Sequence, residues 1–355
     1  MTYDFRYEAL PMRVRFGAGS LASLPEELDQ IGLRRVLVLC SPGQQDTGEL
    51  VTLALGERSV GLRADAVMHV PAHVAERAQA EAVSLGADGC VTVGGGSAIG
   101  LGKAIALESD LPILAIPTTY AGSEMTPIFG LTEGGLKRTG TDLRVLPKTV
   151  IYDPELTLTL PAQLALTSGI NAIAHAAEGL YSRDANPIIS LMAEEGIASL
   201  ARALPVVVAH PEDSHARSQA LYGAWLCGTV LGSVGMALHH KLCHTLGGSF
   251  NLPHASTHTI ILPHALAYNA SAAPDAMKRI ARALGHDNAA MGVYELAKAN
   301  GAQVALKDIG MSEAQLDRAA EIASANPYWN PRAVEYNAIR ALLQDAFDGV
   351  PPREH

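Results

Sequence analysis

Asn171 and His175 stand four residues apart in "GINAIAHAAEGLY", one helical turn, so their side chains share a face. His240 and His244 repeat that spacing in "HHKLCHTLGG", and His254 follows in "NLPHAST", beyond a Gly247-Gly248 pair expected to stop the helix. One oxygen and three imidazole nitrogens would be the donors of a divalent metal site. Position 171, however, carries a neutral amide where a carboxylate would supply the charge that draws a dication out of water. The set then reads as a metal site weakened or emptied, its imidazoles left for proton and substrate work. A single histidine on an apolar helix is usually structural, and His239, His258 and His264 are open to that reading.

A second set lies earlier in the chain. In "VTVGGGSAIGLGKAIAL" a buried strand runs into Gly94, Gly95 and Gly96, and a helix begins near Ser97. Glycines let the backbone turn sharply and approach a ligand, while a helix start offers unpaired N–H groups and a positive dipole end to phosphate. This is not the ordinary dinucleotide fingerprint, because Gly100 comes one position late for G-x-G-x-x-G. Nor is it a Walker loop: Ser97 stands where a glycine is needed before Gly102-Lys103, and Ala104 where a hydroxyl should hold magnesium. In "LAIPTTYAGSEMT" a further buried strand ends at Pro117, followed by Thr118, Thr119, Tyr120 and Ser123. Ligands of open parallel sheets bind at such carboxyl ends. Two ligand-ready loops after neighbouring strands predict a dinucleotide. An acidic residue after the second strand would select NAD; "VLVLCSPGQ" offers Cys40 and Ser41 instead, so NADH is expected with NADPH also accepted.

These residues must be positioned by two kinds of scaffold. Up to about residue 160, strand-like runs ("RRVLVLC", "GCVTVGGG", "LPILAIPTT", "KTVIYD") alternate with helical patterns such as "AERAQAEAVSLGA", which predicts parallel strands with crossover helices. Beyond "DPELTLTLP" the spacing of apolar residues is helical to the C-terminus. The expected organisation is a Rossmann-like α/β domain over 1–160 and an all-α domain over 161–355, divided near Pro161. With 48% hydrophobic and 17% charged residues, the 355-residue chain is globular rather than disordered. A net charge of −10 with no run of Lys or Arg argues against a nucleic-acid surface. Cys40, Cys90, Cys227 and Cys243 lack CxxC spacing and read as reduced core thiols. No basic leader or bilayer-length apolar run is visible, so a cytoplasmic protein without a membrane partner is expected.

The chain resembles the iron-containing (group III) alcohol dehydrogenase superfamily over nearly its whole length. The resemblance runs from "VRFGAGSL" through "GGGSAIGLGKA", "AIPTTYAGSEMTP", "VIYDPELTLTLP" and "NAIAHAAEGLYSRDANP" to "HHKLCHTLGGSFNLPHAST". Within the superfamily it is most similar to the maleylacetate reductase branch. The resemblance implies the dehydroquinate synthase-like fold, a cofactor cleft between two domains and a homodimer. It places the pyrophosphate turn on Gly95, Gly96 and Ser97, and the nicotinamide-side threonines on Thr118 and Thr119, with Ser123 beside them. The superfamily's metal ligands fall on Asn171, His175, His240 and His254; the first is aspartate in the alcohol dehydrogenases, and the departure implies a reductase working without a metal. At Gly100 many relatives carry aspartate. The implied reaction is NAD(P)H-dependent reduction of the alkene of a small dicarboxylate, maleylacetate, to 3-oxoadipate. On this reading His244 and His254 are the first choices for proton donor, His175 and His240 line the pocket, and Asn171, Tyr120 and Lys241 contact substrate, with Arg144 and Arg183 as further carboxylate partners. Two other readings stay open: a metal-dependent alcohol dehydrogenase coordinating through the Asn171 carbonyl, and a nucleotide-binding protein without turnover.

Overall fold

Eight strands and thirteen α-helices make up the computed structural model, which describes residues 5–67, 70–133 and 136–354. The strands are β1 (Arg13–Phe16), β2 (Val36–Cys40), β3 (Ser59–Arg63), β4 (Gly89–Gly94), β5 (Ile113–Pro117), β6 (Ile128–Glu133), β7 (Leu136–Thr141) and β8 (Thr149–Tyr152). The first four helices are α1 (Leu24–Gln30), α2 (Gln45–Leu55), α3 (Ala72–Ser84) and α4 (Gly96–Ser109). Then follow α5 (Ala162–Tyr181), α6 (Pro187–Ala209), α7 (Ser214–Ser233), α8 (Leu238–Phe250), α9 (His254–Asn269), α10 (Pro274–Leu284), α11 (Ala289–Ala299), α12 (Leu316–Ala325) and α13 (Tyr336–Asp348). Packing divides the chain into two compact units after Leu160, with residues 5–8 counted with the second.

In the first unit six strands form a parallel sheet in the order β1-β8-β5-β4-β2-β3. The central strands are apolar on both faces because helices cover both. Val36, Val38 and Cys40 face the side covered by α1 and α2, with Val91, Val93, Leu114 and Ile116. Leu37, Leu39 and Cys90 face α3 and α4 on the other. From β2 the chain steps outward to β3, then returns so that β4 lies on the opposite side of β2. Such a reversal opens a crevice at the strands' carboxyl ends. Sequence patterning misses β1, β3 and the antiparallel β6–β7 hairpin. Two of these are the sheet's edges, and "RVRF" and "SVGLR" interleave Arg or Gly instead of presenting a continuous apolar run.

Among the described residues of the second unit no strand is found. One core joins Leu238, Leu242 and Leu246 of α8 with Ile260 and Ile261 of α9, Leu316 of α12 and Leu342 of α13. The helix stop expected at Gly247-Gly248 is not there. Helix α8 runs through both glycines and ends at Asn251, whose φ of 54° is left-handed and whose N–H caps the Leu246 carbonyl. Asparagine tolerates that conformation better than most residues. No single described helix is long and apolar enough to cross a membrane.

Candidate active site

The glycine turn of the first unit is built by backbone geometry. Gly94 takes φ +136°, and a Cβ at Gly95 would lie 2.9 Å from Thr119 Oγ1, so both positions require glycine. At Gly96 a Cβ would meet nothing within 4 Å, and the residue is exposed. Helix α4 therefore opens at Gly96 onto free space, and its first turn has no side-chain cap and no acidic residue. An anion fits such a terminus. The loops after β2, β4 and β5 are stitched together: Thr118 Oγ1 donates to Gln44 Oε1 at 3.1 Å, and the Thr118 N–H donates to the Gly94 carbonyl at 3.2 Å. Gln44 was not among the residues singled out from the sequence. Its position two residues past the Ser41-Pro42 turn, at the carboxyl end of β2, was the available signal. At Gly100 a side chain would strike Val70 Cγ2 at 2.8 Å, which explains why this chain has no room for a larger residue there.

Behind the turn, Lys103 is buried to 1% exposure and its ammonium is caged by four oxygens. These are the carbonyls of Ser123 (2.7 Å), Thr126 (2.8 Å) and Ile128 (2.7 Å), and Thr126 Oγ1 (2.9 Å). Burial pushes its pKa down to about 7, opposed by the charge of Glu124. Ser123, expected to touch cofactor, thus spends its carbonyl on this cage. Tyr120 is fully buried, with its hydroxyl shielded from solvent, so the structure does not offer it to a substrate. Arg144 is committed to Asp142, Asp110 and the Leu107 carbonyl, which removes it from the carboxylate partners.

In the second unit, α5 carries Asn171, His175 and Glu178 on one stripe, and all three are buried. Glu178 was missed in the sequence, although a lone carboxylate inside "AIAHAAEGLY" is itself a signal. It accepts the N–H of Ala237 (2.8 Å) and of His239 (2.7 Å), capping the start of α8, and it holds His240 Nδ1 at 2.7 Å. Burial raises its pKa, but the His240 hydrogen bond and the nearby imidazoles outweigh that and hold it below the ordinary value. With Nδ1–H given to Glu178, the Nε2 of His240 is left as the working nitrogen.

Around His240 the rings form a packed network. Its centroid lies 5.1 Å from His175, 5.0 Å from His239, 5.2 Å from His258 and 6.1 Å from His244. His258 in turn lies 4.1 Å from His254. Burial drives His175 and His258 well below the ordinary histidine value and His239 down to about 3, with neighbouring imidazoles adding to the shift of each. These rings are therefore neutral at pH 7. His244 and His254 are the exposed members, and His244 Nδ1 lies 3.0 Å from the Tyr328 hydroxyl. Lys241, half-buried, sits with Nζ 5.6 Å from the Tyr328 ring centroid. Tyr328 was not picked out from the sequence; it lies in an irregular segment far along the chain.

The donor set fits a divalent cation poorly. Asn171 Oδ1, His175 Nδ1 and His240 Nε2 are buried without hydrogen-bond partners, but the set brings no carboxylate of its own to offset the charge of a dication. The carboxylate of Glu178 is engaged by four donors, the Ala237 and His239 N–H groups, His240 Nδ1 and, at 3.5 Å, the Tyr181 hydroxyl. The imidazoles whose nitrogens converge within 4.8 Å are instead His239, His240 and His258. There His239 Nε2 contacts the His258 carbonyl at 3.0 Å, and His240 Nδ1 serves Glu178.

A parallel six-stranded unit with a glycine turn, joined to a helical unit bearing this histidine constellation, agrees with what the family comparisons find. The description "Iron-containing alcohol dehydrogenase" matches residues 11–154, and "Fe-containing alcohol dehydrogenase family, C-terminal" matches residues 165–347. The chain belongs to the iron-containing alcohol dehydrogenase family and is an oxidoreductase. More particularly, it is 60% identical to a maleylacetate reductase of Burkholderia cepacia over 348 residues, covering 98% of this chain and 99% of that one. The crystal structure of maleylacetate reductase from Agrobacterium tumefaciens is 52% identical with a TM-score of 0.95, covering 99% of this chain and all of that one. An iron-containing alcohol dehydrogenase from Corynebacterium glutamicum is 44% identical with a TM-score of 0.93, and the match covers 98% of each chain.

Proposed function

We propose that the protein reduces the carbon–carbon double bond of maleylacetate to 3-oxoadipate, using NADH or NADPH and no catalytic metal. The single observation that carries this reading is the neutral amide of Asn171 at the head of an otherwise complete imidazole set. The full-length likeness to maleylacetate reductases supports the substrate.

Gly95, Gly96, Ser97 and the start of α4 would hold the pyrophosphate, with Thr118 and Thr119 on the nicotinamide side. The bound nicotinamide supplies a hydride to the alkene carbon β to the substrate ketone. As that bond forms, the alkene electron pair shifts toward the ketone and negative charge develops on its oxygen. Hydrogen-bond donors aimed at that oxygen lower the barrier. The side-chain amide of Asn171 is the proposed donor; His240, whose Nδ1–H is held by Glu178, lines the same pocket with Nε2 as an acceptor. The α-carbon must then receive a proton. His244, exposed and tied through Nδ1 to Tyr328, is the proposed donor, with His254 as the alternative. A buried neutral ring such as His258 is unsuited to that role, because it holds no proton to spare.

Turnover of NADH with maleylacetate, measured with and without a chelator, tests the reading. Reduction unaffected by chelation supports it; stoichiometric iron or zinc whose removal abolishes turnover would replace it with the metal-dependent alcohol dehydrogenase reading. Asn171→Asp restores the missing charge and is expected to raise metal retention. The same assay with NADPH is expected to give comparable efficiency, since β2 ends in Cys40 and is followed by Ser41 rather than by a carboxylate.

A further inference from the structure

A small cavity of about 230 Å³ opens beside the histidine network, lined by Ser182, Arg183, Gly235, Met236, Tyr328 and Trp329. Three chain segments of the helical unit meet there: the end of α5, the link between α7 and α8, and the irregular segment between α12 and α13. Each wall is held by specific bonds. Ser182 Oγ donates to the Gly235 carbonyl at 2.8 Å, and the Gly235 N–H donates to Asp184 at 3.3 Å. Asn330, next to Trp329, accepts from Leu238 N–H (3.4 Å) and Asn269 Nδ2 (2.9 Å), and donates to the Arg332 carbonyl (2.7 Å). The aromatic wall is thus tied to the first residue of α8, the helix that carries His240 and His244.

Two features give the cavity a chemical preference. Tyr328 and Trp329 are 39% and 42% exposed, unusual for adjacent large aromatics, and they present flat apolar surface. Arg183 adds a guanidinium whose Nε is 3.7 Å from Asp184, an exposed and therefore weak pair that a better-placed anion can outcompete. A planar cation beside aromatic walls suits a carboxylate on a short carbon chain. The cavity is smaller than those that enclose whole drug-sized ligands, so it suits one end of a small molecule. Tyr328 supplies the continuity: its hydroxyl meets His244, the proposed proton donor, while its ring lines the cavity.

We propose that this cavity is a carboxylate subsite, in which Arg183 binds one carboxylate of the substrate between Tyr328 and Trp329 and so selects dicarboxylates over monocarboxylates. The inference rests on the functional reading above and adds to it the residue that sets substrate class.

The test compares wild-type enzyme with Arg183→Gln and Trp329→Ala. Inhibition by adipate and by hexanoate is measured against maleylacetate reduction. For the wild type, adipate is expected to inhibit about tenfold more strongly than hexanoate; Arg183→Gln is expected to erase that preference and lower kcat/KM for maleylacetate about tenfold, leaving the KM for NADH unchanged. Trp329→Ala is expected to weaken both acids, since it removes wall rather than charge. Arg183→Gln with wild-type kcat/KM and an intact preference for adipate would overturn the subsite. Should the wild type fail to reduce maleylacetate, the functional reading falls, and calorimetric titration of adipate into wild type and Arg183→Gln decides the subsite separately. Equal binding by the two proteins would overturn it.

Discussion

The glycine turn and the imidazole network carry their chemistry on different parts of the chain. On the proposed function the working groups around Gly94–Gly96 would be backbone N–H donors, and what the sequence must supply is the absence of side chains. In the helical unit the working groups are side chains, and the sequence must supply partners that fix their orientation, Glu178 above all. The first region is therefore sensitive to addition and the second to deletion. That contrast predicts opposite patterns of damage.

The largest expected effect is that of Glu178→Leu. It strands two buried backbone N–H groups at the start of α8 and releases His240, and unfolding free energy should fall by about 3–5 kcal/mol in a denaturant titration. A loss below about 1 kcal/mol would break the contrast, since the network would then not hang on its carboxylate.

Acid should act in the same direction. His239 binds its proton only near pH 3 in the folded protein but near pH 6.5 once unfolded, so the unfolded state takes up protons first as pH falls. Stability present above pH 6.5 is lost progressively below it, by about 2 kcal/mol at pH 5 from this ring, with His175 and His258 adding loss of the same sign. Denaturation midpoints at pH 7 and pH 5 give the comparison directly. No loss would show that these rings are not held neutral.

Gly96→Val sharpens the other half. Its side chain enters open space, so the melting temperature should hardly move, while affinity for NADH should drop about tenfold because the phosphate approach is blocked. Unchanged NADH affinity would remove α4 as the phosphate site. The smallest effect belongs to Asn251→Ala, which places a Cβ-bearing non-amide residue in a left-handed conformation; a loss of about 1 kcal/mol is expected, with no change in kinetics.

How much of this could be read without coordinates followed the same division. The central strands and the helical half were legible because burial on both sheet faces writes an unbroken apolar run into the chain, and burial of one helix face writes a period. The edge strands and the β6–β7 hairpin were not, since one side of each lacks that constraint. The glycine turn was legible because few other roles call for consecutive glycines between a strand and a helix. Asn171, His175, His240, His244 and His254 stood out by spacing. Their supports did not: Glu178 works through α8, 59 residues away at Ala237, and Tyr328 reaches His244 across 84 residues, separations that no local pattern encodes. The stop expected at Gly247-Gly248 failed because glycine permits a helix end without requiring one.

The caged ammonium of Lys103 has a consequence for protein chemistry. An amine with pKa near 7 would ordinarily be the most readily acylated lysine at neutral pH, yet this one projects from α4 into the Ser123–Ile128 segment and is sealed among four oxygens. Reagents that tag amines should modify the exposed lysines of the native protein and leave this one untouched until the first unit opens. Its labelling rate then becomes a clock for the unfolding of that unit alone.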